Sequence, residues 1–314
     1  MSDKVIVVAG PTASGKTAMG IALAKEYGGE IVSADSMQVY RGMDIGTAKA
    51  TAEERAQAVH HMLDVAEPEE NYSVSLYVRD AQRVCQDIIA RGKLPIIVGG
   101  TGLYIDSLLR GTDFAPVAEN EELRARLTAE YDSLGGEAMH RRLAAVDRER
   151  AEKLSPTDKR RIVRSLEIFE LTGRTATEHD EETRRRPPRF EAAYMVLNFT
   201  ERQRLYERID RRVELMVQAG LFEEVQGLLD RGVPSDCTAM QAIGYKEAAL
   251  ALRGEVTKAE AAELIKQGSR RYAKRQLTWF RRREGALWIN WEDAPDFELA
   301  RQLSREFLRF SGIS

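Results

Sequence analysis

Val5-Ile6-Val7-Val8-Ala9-Gly10-Pro11-Thr12-Ala13-Ser14-Gly15-Lys16-Thr17, continued by Ala18-Met19-Gly20-Ile21-Ala22-Leu23-Ala24-Lys25, reads as a buried strand, a glycine loop and a helix. Gly10 to Thr17 match G-x-x-x-x-G-K-[ST] at every fixed position. Such a loop wraps backbone N–H groups around an anion at a helix N-terminus, where the helix dipole also favours negative charge. Lys16 reaches the outer phosphate, and the Thr17 hydroxyl can ligate a magnesium ion. The alternative is a glycine turn that merely contains a lysine, and the strand and helix on either side argue against it. The chain therefore grips a phosphorylated small molecule, and the loop alone does not say which.

Outward from the loop, strands and helices alternate. Glu30-Ile31-Val32-Ser33-Ala34 reads as a second strand ending at Asp35, residues 75–90 as a helix, and Leu94-Pro95-Ile96-Ile97-Val98 as a third strand running into Gly99-Gly100-Thr101-Gly102. This alternation predicts an α/β fold: a P-loop NTPase-like parallel sheet flanked by helices. Ligands in such sheets sit at the carboxyl ends of the strands, so the glycine loop, Asp35 to Gln38 and Gly99 to Gly102 are expected around one crevice. After Phe114-Ala115-Pro116 the strand signal stops. Residues 116–188 are expected to form an all-helical insertion domain in a core made of 1–115 and 189–314. One helix of the insertion starts at Ser155-Pro156-Thr157-Asp158 and ends near Gly173. Ala193 to Asn198 returns as a strand, and the remainder is mostly helix. Thr257-Lys258-Ala259-Glu260 is a capping box opening a long helix toward Arg283, Leu287 to Ile289 is a final strand, and Phe297 to Phe310 a closing helix.

At 314 residues the chain holds one large domain or two ordinary ones, and 43% hydrophobic with 31% charged residues is ordinary for a globular protein. No apolar run is long enough to cross a bilayer, and no room for a signal peptide is expected ahead of the first strand. Cys85 and Cys237 form no close pair, which argues against a disulfide framework or thiolate zinc site and for a cytoplasmic setting. The net charge of -3 hides basic blocks at Arg270 to Arg283, at Lys159 to Arg164 and at Arg184 to Arg189. Any one of them is ordinarily a solvated helix face. Together they favour a polyanionic partner larger than a nucleotide.

NTP hydrolases commonly carry an acid at the end of a later strand to help hold magnesium. Here that strand runs into Gly99-Gly100-Thr101, and the acid nearest the loop is Asp35. It reads either as a base for an incoming nucleophile or as a helix cap. Thr101 and its glycines bring backbone close to a ligand or make a tight turn. The Gln38 amide can pair with an adenine edge or simply sit at the surface. His60-His61 as helix neighbours point apart and suggest no metal site. Trp279 and Phe280 either stack on bases or pack in the core.

Several segments together resemble the tRNA dimethylallyltransferase (tRNA isopentenyltransferase) family: Gly10 to Thr17, Ser33 to Tyr40, Gly42 to Lys49, Val98 to Tyr104, Ile243-Gly244-Tyr245 and Lys274 to Arg281, in family order over nearly the whole chain. With no C-terminal cysteine and histidine pair, the resemblance is to the bacterial type. It implies transfer of a dimethylallyl group from dimethylallyl diphosphate to N6 of the adenosine at tRNA position 37, 3′ of the anticodon, releasing diphosphate. It implies that Gly10, Pro11, Thr12, Ala13, Ser14, Gly15, Lys16, Thr17, Arg208 and Arg212 hold the diphosphate. The catalytic set is then Asp35, Lys16, Thr17 and Arg212, with Mg2+ on Thr17. The tRNA-facing set it implies is Asp35, Ser36, Met37, Gln38, Thr101, Arg124, Arg160, Arg161, Ile162, Val163, Arg164, Gln241, Gly244, Tyr245, Lys246, Lys274, Arg275, Gln276, Trp279 and Arg281. The insertion would clamp the anticodon stem from the side opposite the core. A monomer is expected. The rival readings are an ATP-binding small-molecule kinase, from the loop and Asp35, and an RNA-binding NTPase.

Overall fold

The computed structural model describes residues 3–112 and 120–313. In chain order the elements are β1 (Asp3–Ala9), α1 (Lys16–Tyr27), β2 (Glu30–Ser33), α2 (Ala52–Gln57), β3 (His60–His61), α3 (Val74–Ala90), β4 (Pro95–Gly99), α4 (Gly102–Arg110), α5 (Glu121–Leu134), α6 (Gly136–Val146), α7 (Arg148–Glu152), α8 (Lys159–Thr172), α9 (Ala176–Arg185), β5 (Phe190–Phe199), α10 (Arg202–Gln218), α11 (Leu221–Asp230), α12 (Tyr245–Leu252), α13 (Lys258–Phe280), β6 (Leu287–Trp291) and α14 (Phe297–Phe310). The chain divides into two compact units, residues 1–109 with 189–314, and residues 110–188. The expected boundary at 115/116 lies outside the described residues.

The first unit is a P-loop NTPase-like fold: a six-stranded sheet in the order β3-β2-β4-β1-β5-β6 with every pairing parallel. Ile6 and Val8 pack in one cluster with Leu23 of α1 and Leu308 of α14. Val5 and Val7 point the other way and are equally sealed, so helices cover both faces. Because β4 lies between β1 and β2, with Val8 opposite Val98 and Val32 opposite Ile97, the carboxyl ends of three strands stand side by side. This puts the glycine loop, Asp35 and Gly99-Gly100 in one row. Gly99 makes the row possible, since a Cβ there would come 2.2 Å from the Ala34 carbonyl oxygen.

Where the local chemistry is strong, elements form as it dictates. Gly28, in the left-handed region at φ 61°, ends α1. Thr257 and Glu260 exchange the two hydrogen bonds of a capping box at the start of α13. The helix expectation for His60-His61 is corrected: they form β3, pairing with Ile31 and Val32, and two histidines offer no hydrophobic signal from which a strand can be read. Among its described residues the second unit holds five helices around a small core of Leu127, Met139, Leu143, Ala151, Ile162, Val163 and Leu166. Among the described residues, no helix is long and apolar enough to cross a membrane.

Candidate active site

The loop after β1 depends on its glycines. Gly10 has φ 151°, and a Cβ on it would come 2.4 Å from the Leu197 carbonyl oxygen. Gly15, at φ 92°, is the N-cap residue of α1 and offers no side-chain cap, so the first N–H groups of that helix are left for a ligand. Ser14 is sealed from solvent, and its Oγ has no hydrogen-bond partner among the described residues. A buried, unpartnered hydroxyl in an anion-binding loop is suited to donate to a phosphate oxygen.

The loop is braced from three sides. Gln276 of α13 accepts the Thr12 N–H on its Oε1 (3.0 Å) and donates Nε2 to the Gly100 carbonyl (2.9 Å). Trp291 Nε1 donates to the Ser14 carbonyl (2.9 Å). From α10, Arg208 Nε donates to the Ala13 carbonyl (3.1 Å) and Arg212 Nη1 to Thr12 Oγ1 (3.3 Å). Both arginines thus reach the loop, and Arg212 also lines the cleft that holds Asp35.

That cleft has a volume of about 300 Å³ and is lined by Thr12, Lys16, Thr17, Asp35 and Arg212 together with apolar Val98, Val213, Met216, Ile243 and Ile265. A second, larger cleft of about 1150 Å³ shares Lys16, Thr17 and Arg212 with it and adds Arg55, Arg208 and Arg211. Lys16 Nζ donates to the Pro11 carbonyl (2.6 Å). Burial first, and the Arg212 charge second, hold its ammonium down to about 7, with Asp35 opposing. Burial likewise lowers the Arg212 guanidinium below its ordinary range, with Arg208 adding to the effect. Desolvated cations crowded on one another, with Asp35 the carboxylate acting on both Lys16 and Arg212, make a site that a polyanion stabilises.

Asp35 combines both sequence readings. Its Oδ1 accepts the N–H groups of Met37 (2.9 Å) and Gln38 (3.4 Å), capping a turn, while the residue lines the cleft beside Lys16. Thr101 Oγ1 accepts the Ser36 N–H (3.1 Å) and its own N–H donates to the Ala34 carbonyl (3.1 Å), tying the ends of β2 and β4 together. Tyr272 lines the same cleft, its hydroxyl pushed up to about 12 by burial and then by Asp35.

The residues expected to face RNA separate by burial. Lys274, Arg275, Arg281, Gln241 and Lys246 are exposed, as are Arg160 and Arg161 of α8. Arg124 and Arg164 both ion-pair with the buried Glu167, at 3.1 and 2.8 Å. Of the expected tRNA-facing set, the side chains of Ile162, Val163, Tyr245 and Gln276 are buried, and Gln276 at the same time lines the cleft with Asp35. Gln38 donates Nε2 to the carbonyls of Thr47 (3.2 Å) and Ala48 (3.3 Å) and accepts from the Ser33 hydroxyl, so its amide is engaged with protein. Trp279 donates Nε1 to Asp106 (2.7 Å) and packs on Gly102, and Phe280 is fully buried. Sequence reasoning missed Lys49, whose buried ammonium donates to Asp44, Asp64 and the Tyr40 carbonyl, and Glu224, whose carboxylate accepts the N–H groups of Asp44, Ile45 and Gly46. Lys49 lies in a quoted motif, yet no local pattern shows that its charge is buried.

The family model described as IPP transferase matches residues 38–283, and one described as isopentenyl transferase matches residues 3–65. A protein named tRNA dimethylallyltransferase from a Thermoanaerobacter species is 43% identical over 311 residues, covering 99% of this chain and 98% of the relative. One of the same name from Geobacillus kaustophilus is 48% identical over 297 residues, 95% and 93% of the two chains. Among solved structures, the tRNA isopentenylpyrophosphate transferase of Bacillus halodurans is similar with a TM-score of 0.72 at 40% identity, covering 99% of this chain and 98% of that one. A eukaryotic dimethylallyltransferase solved acting on tRNA aligns with a TM-score of 0.82 at 28% identity, over 98% of this chain and 80% of its own. Near-complete matches in sequence and in fold, on top of the phosphate loop, Asp35 and the paired arginines, place this chain in the tRNA dimethylallyltransferase family, an enzyme family of prenyl transfer.

Proposed function

We propose that this chain transfers the dimethylallyl group of dimethylallyl diphosphate to N6 of the adenosine at tRNA position 37. The observation that carries the reading is the single cleft where Lys16, Thr17 and Arg212 stand together with Asp35 among apolar side chains. The diphosphate lies in the loop, the five-carbon tail against Val213, Met216 and Ile265, and the adenine amine against Asp35. The bond from the allylic carbon to the diphosphate oxygen breaks as the bond from that carbon to N6 forms. The N6 proton passes to Asp35, and Lys16 and Arg212 stabilise the charge growing on the departing diphosphate. An exocyclic adenine amine is a weak nucleophile, so its orientation by Asp35 matters as much as proton removal. The base reaches the cleft by leaving the anticodon-loop stack, at a cost of roughly a few kcal/mol.

A magnesium ion fits the donor set, because Thr17 offers a hard hydroxyl oxygen at the start of α1 and the diphosphate supplies further oxygens. Bound there, it would supply charge neutralisation at the diphosphate. The anticodon stem-loop as the RNA element, phosphate contacts from the arginines of the helical insertion, a monomeric enzyme and a cytoplasmic setting belong to the same reading.

The test is incubation with magnesium and unmodified tRNA, with labelled dimethylallyl diphosphate in one tube and γ-labelled ATP in another. Label entering tRNA from the prenyl donor alone is expected. ATP turnover without RNA labelling would overturn the proposal in favour of a kinase or NTPase.

A further inference from the structure

Residues 43–49 form a loop that both clefts use as a wall. Gly46, Thr47 and Ala48 line the cleft with Asp35, and Asp44, Ile45, Ala48 and Lys49 line the larger one. From one side Gln38 holds the carbonyls of Thr47 and Ala48, and Lys49 anchors the far end on Asp64 and the Tyr40 carbonyl. On the other side Met43 and Ile45 pack into the cluster of Leu221, Phe222 and Tyr245, and the loop's backbone amides are held by the carboxylate of Glu224, in the first turn of α11. Its Oε2 accepts the N–H groups of Asp44 (2.9 Å) and Ile45 (2.8 Å), and its Oε1 accepts the N–H of Gly46 (3.1 Å) and the hydroxyl of Tyr245 (2.5 Å). Three consecutive amides converging on one carboxylate make an anion nest, here filled by the protein's own side chain. Tyr245 is fully buried, and its ring lies 2.4 Å from where a Cβ on Gly46 would be. Burial and the neighbouring carboxylate keep its hydroxyl far above the ordinary range, hence a neutral donor.

We propose that Glu224, with Tyr245 as its fourth donor, is a positioning residue that sets the 44–48 wall against the prenyl-donor pocket, and that Tyr245 serves this clamp rather than the RNA. The proposal rests on the prenyl-transfer reading. All four acceptor directions of the carboxylate are in use, so Glu224→Gln would turn an NH2 group toward backbone N–H donors and break at least one of the three amide hydrogen bonds. Tyr245→Phe removes one donor and keeps the ring that packs on Gly46. Neither side chain lines the cleft beside Asp35, so loss of the clamp loosens the wall and leaves the base and the cations in place.

The experiment measures amide hydrogen exchange at residues 44–46 in the ligand-free protein, together with KM for dimethylallyl diphosphate, kcat and tRNA Kd, for wild type, Glu224→Gln and Tyr245→Phe. Exchange at the three amides should quicken, donor KM should rise roughly tenfold for Glu224→Gln and less for Tyr245→Phe, kcat should fall less than donor KM rises, and tRNA Kd should stay within about twofold. Unchanged exchange, or a loss of tRNA affinity as large as the rise in donor KM, overturns the clamp. If Glu224→Gln does not fold, Tyr245→Phe carries both readouts. If the wild type fails to prenylate tRNA, the functional reading has failed, while the exchange measurement still tests the clamp.

Discussion

At Asp35 one carboxylate oxygen, Oδ1, is committed to the amides of Met37 and Gln38, and no hydrogen bond among the described residues engages Oδ2. The two duties can therefore be separated. Asparagine keeps an oxygen for the turn but cannot take a proton from N6. Asp35→Asn should fold with an unchanged melting temperature, bind tRNA within about twofold of wild type, and lose roughly 10²- to 10⁴-fold in kcat. Single-turnover rates with saturating tRNA check this. A kcat within a few fold of wild type would leave Asp35 only its capping role. Lys16 makes the complementary point: its proton is weakly held because burial and Arg212 penalise it, and an arriving diphosphate reverses that penalty.

Among the elements, the sheet edge at β2 and β3 is held by one buried carboxylate. Glu30 receives Arg91 on both oxygens (2.5 and 2.8 Å), Lys93 (2.7 Å) and His61 (2.7 Å), linking β2, β3 and the end of α3. Arg91 first, then Lys93 and His61, hold its carboxyl well below the ordinary 4.5. With the folded value depressed, its stabilisation is present above the unfolded value and is lost as pH falls below it. Glu30→Gln should cost about 1–3 kcal/mol at pH 7, because the cations are partly exposed, and the gap to wild type should narrow as pH drops below 4.5. Urea denaturation of both proteins from pH 7 to pH 3 tests the sign. A gap independent of pH would show that the ion pairs contribute nothing and that only side-chain shape matters.

Over the whole molecule the net charge is slightly negative, so attraction to a polyanion must come from local basic surface. On α13, Lys274 and Arg275 are exposed, whereas Gln276 beside them is buried and bonded to the glycine loop and the Gly99-Gly100 turn. One helix thus carries basic surface and braces the phosphate loop. Replacing Lys274 and Arg275 together by alanine should weaken tRNA binding and make the slope of log affinity against log salt shallower by about 1–2, as expected for one or two lost phosphate contacts. Filter binding at several salt concentrations measures it. An unchanged slope removes both residues from the RNA surface.

The amino-acid sequence by itself determined what local chemistry controls. The glycines of the phosphate loop, the apolar runs of β1 and β4, the capping box of α13 and the closing helix Phe297–Phe310 stand where the residues place them, because a positive φ, a hydrophobic period or a cap is specified within a few residues. Tertiary structure alone decided that two histidines extend the sheet, that Tyr245 and Gln276 turn inward to hold loops, that both Arg208 and Arg212 reach the phosphate loop, and that Glu224 collects three amides from residues about 180 positions away. The reason is physical: a polar side chain's partner is set by which distant segments the packed core brings within hydrogen-bonding distance, and a partner so far along the chain leaves no local pattern to read.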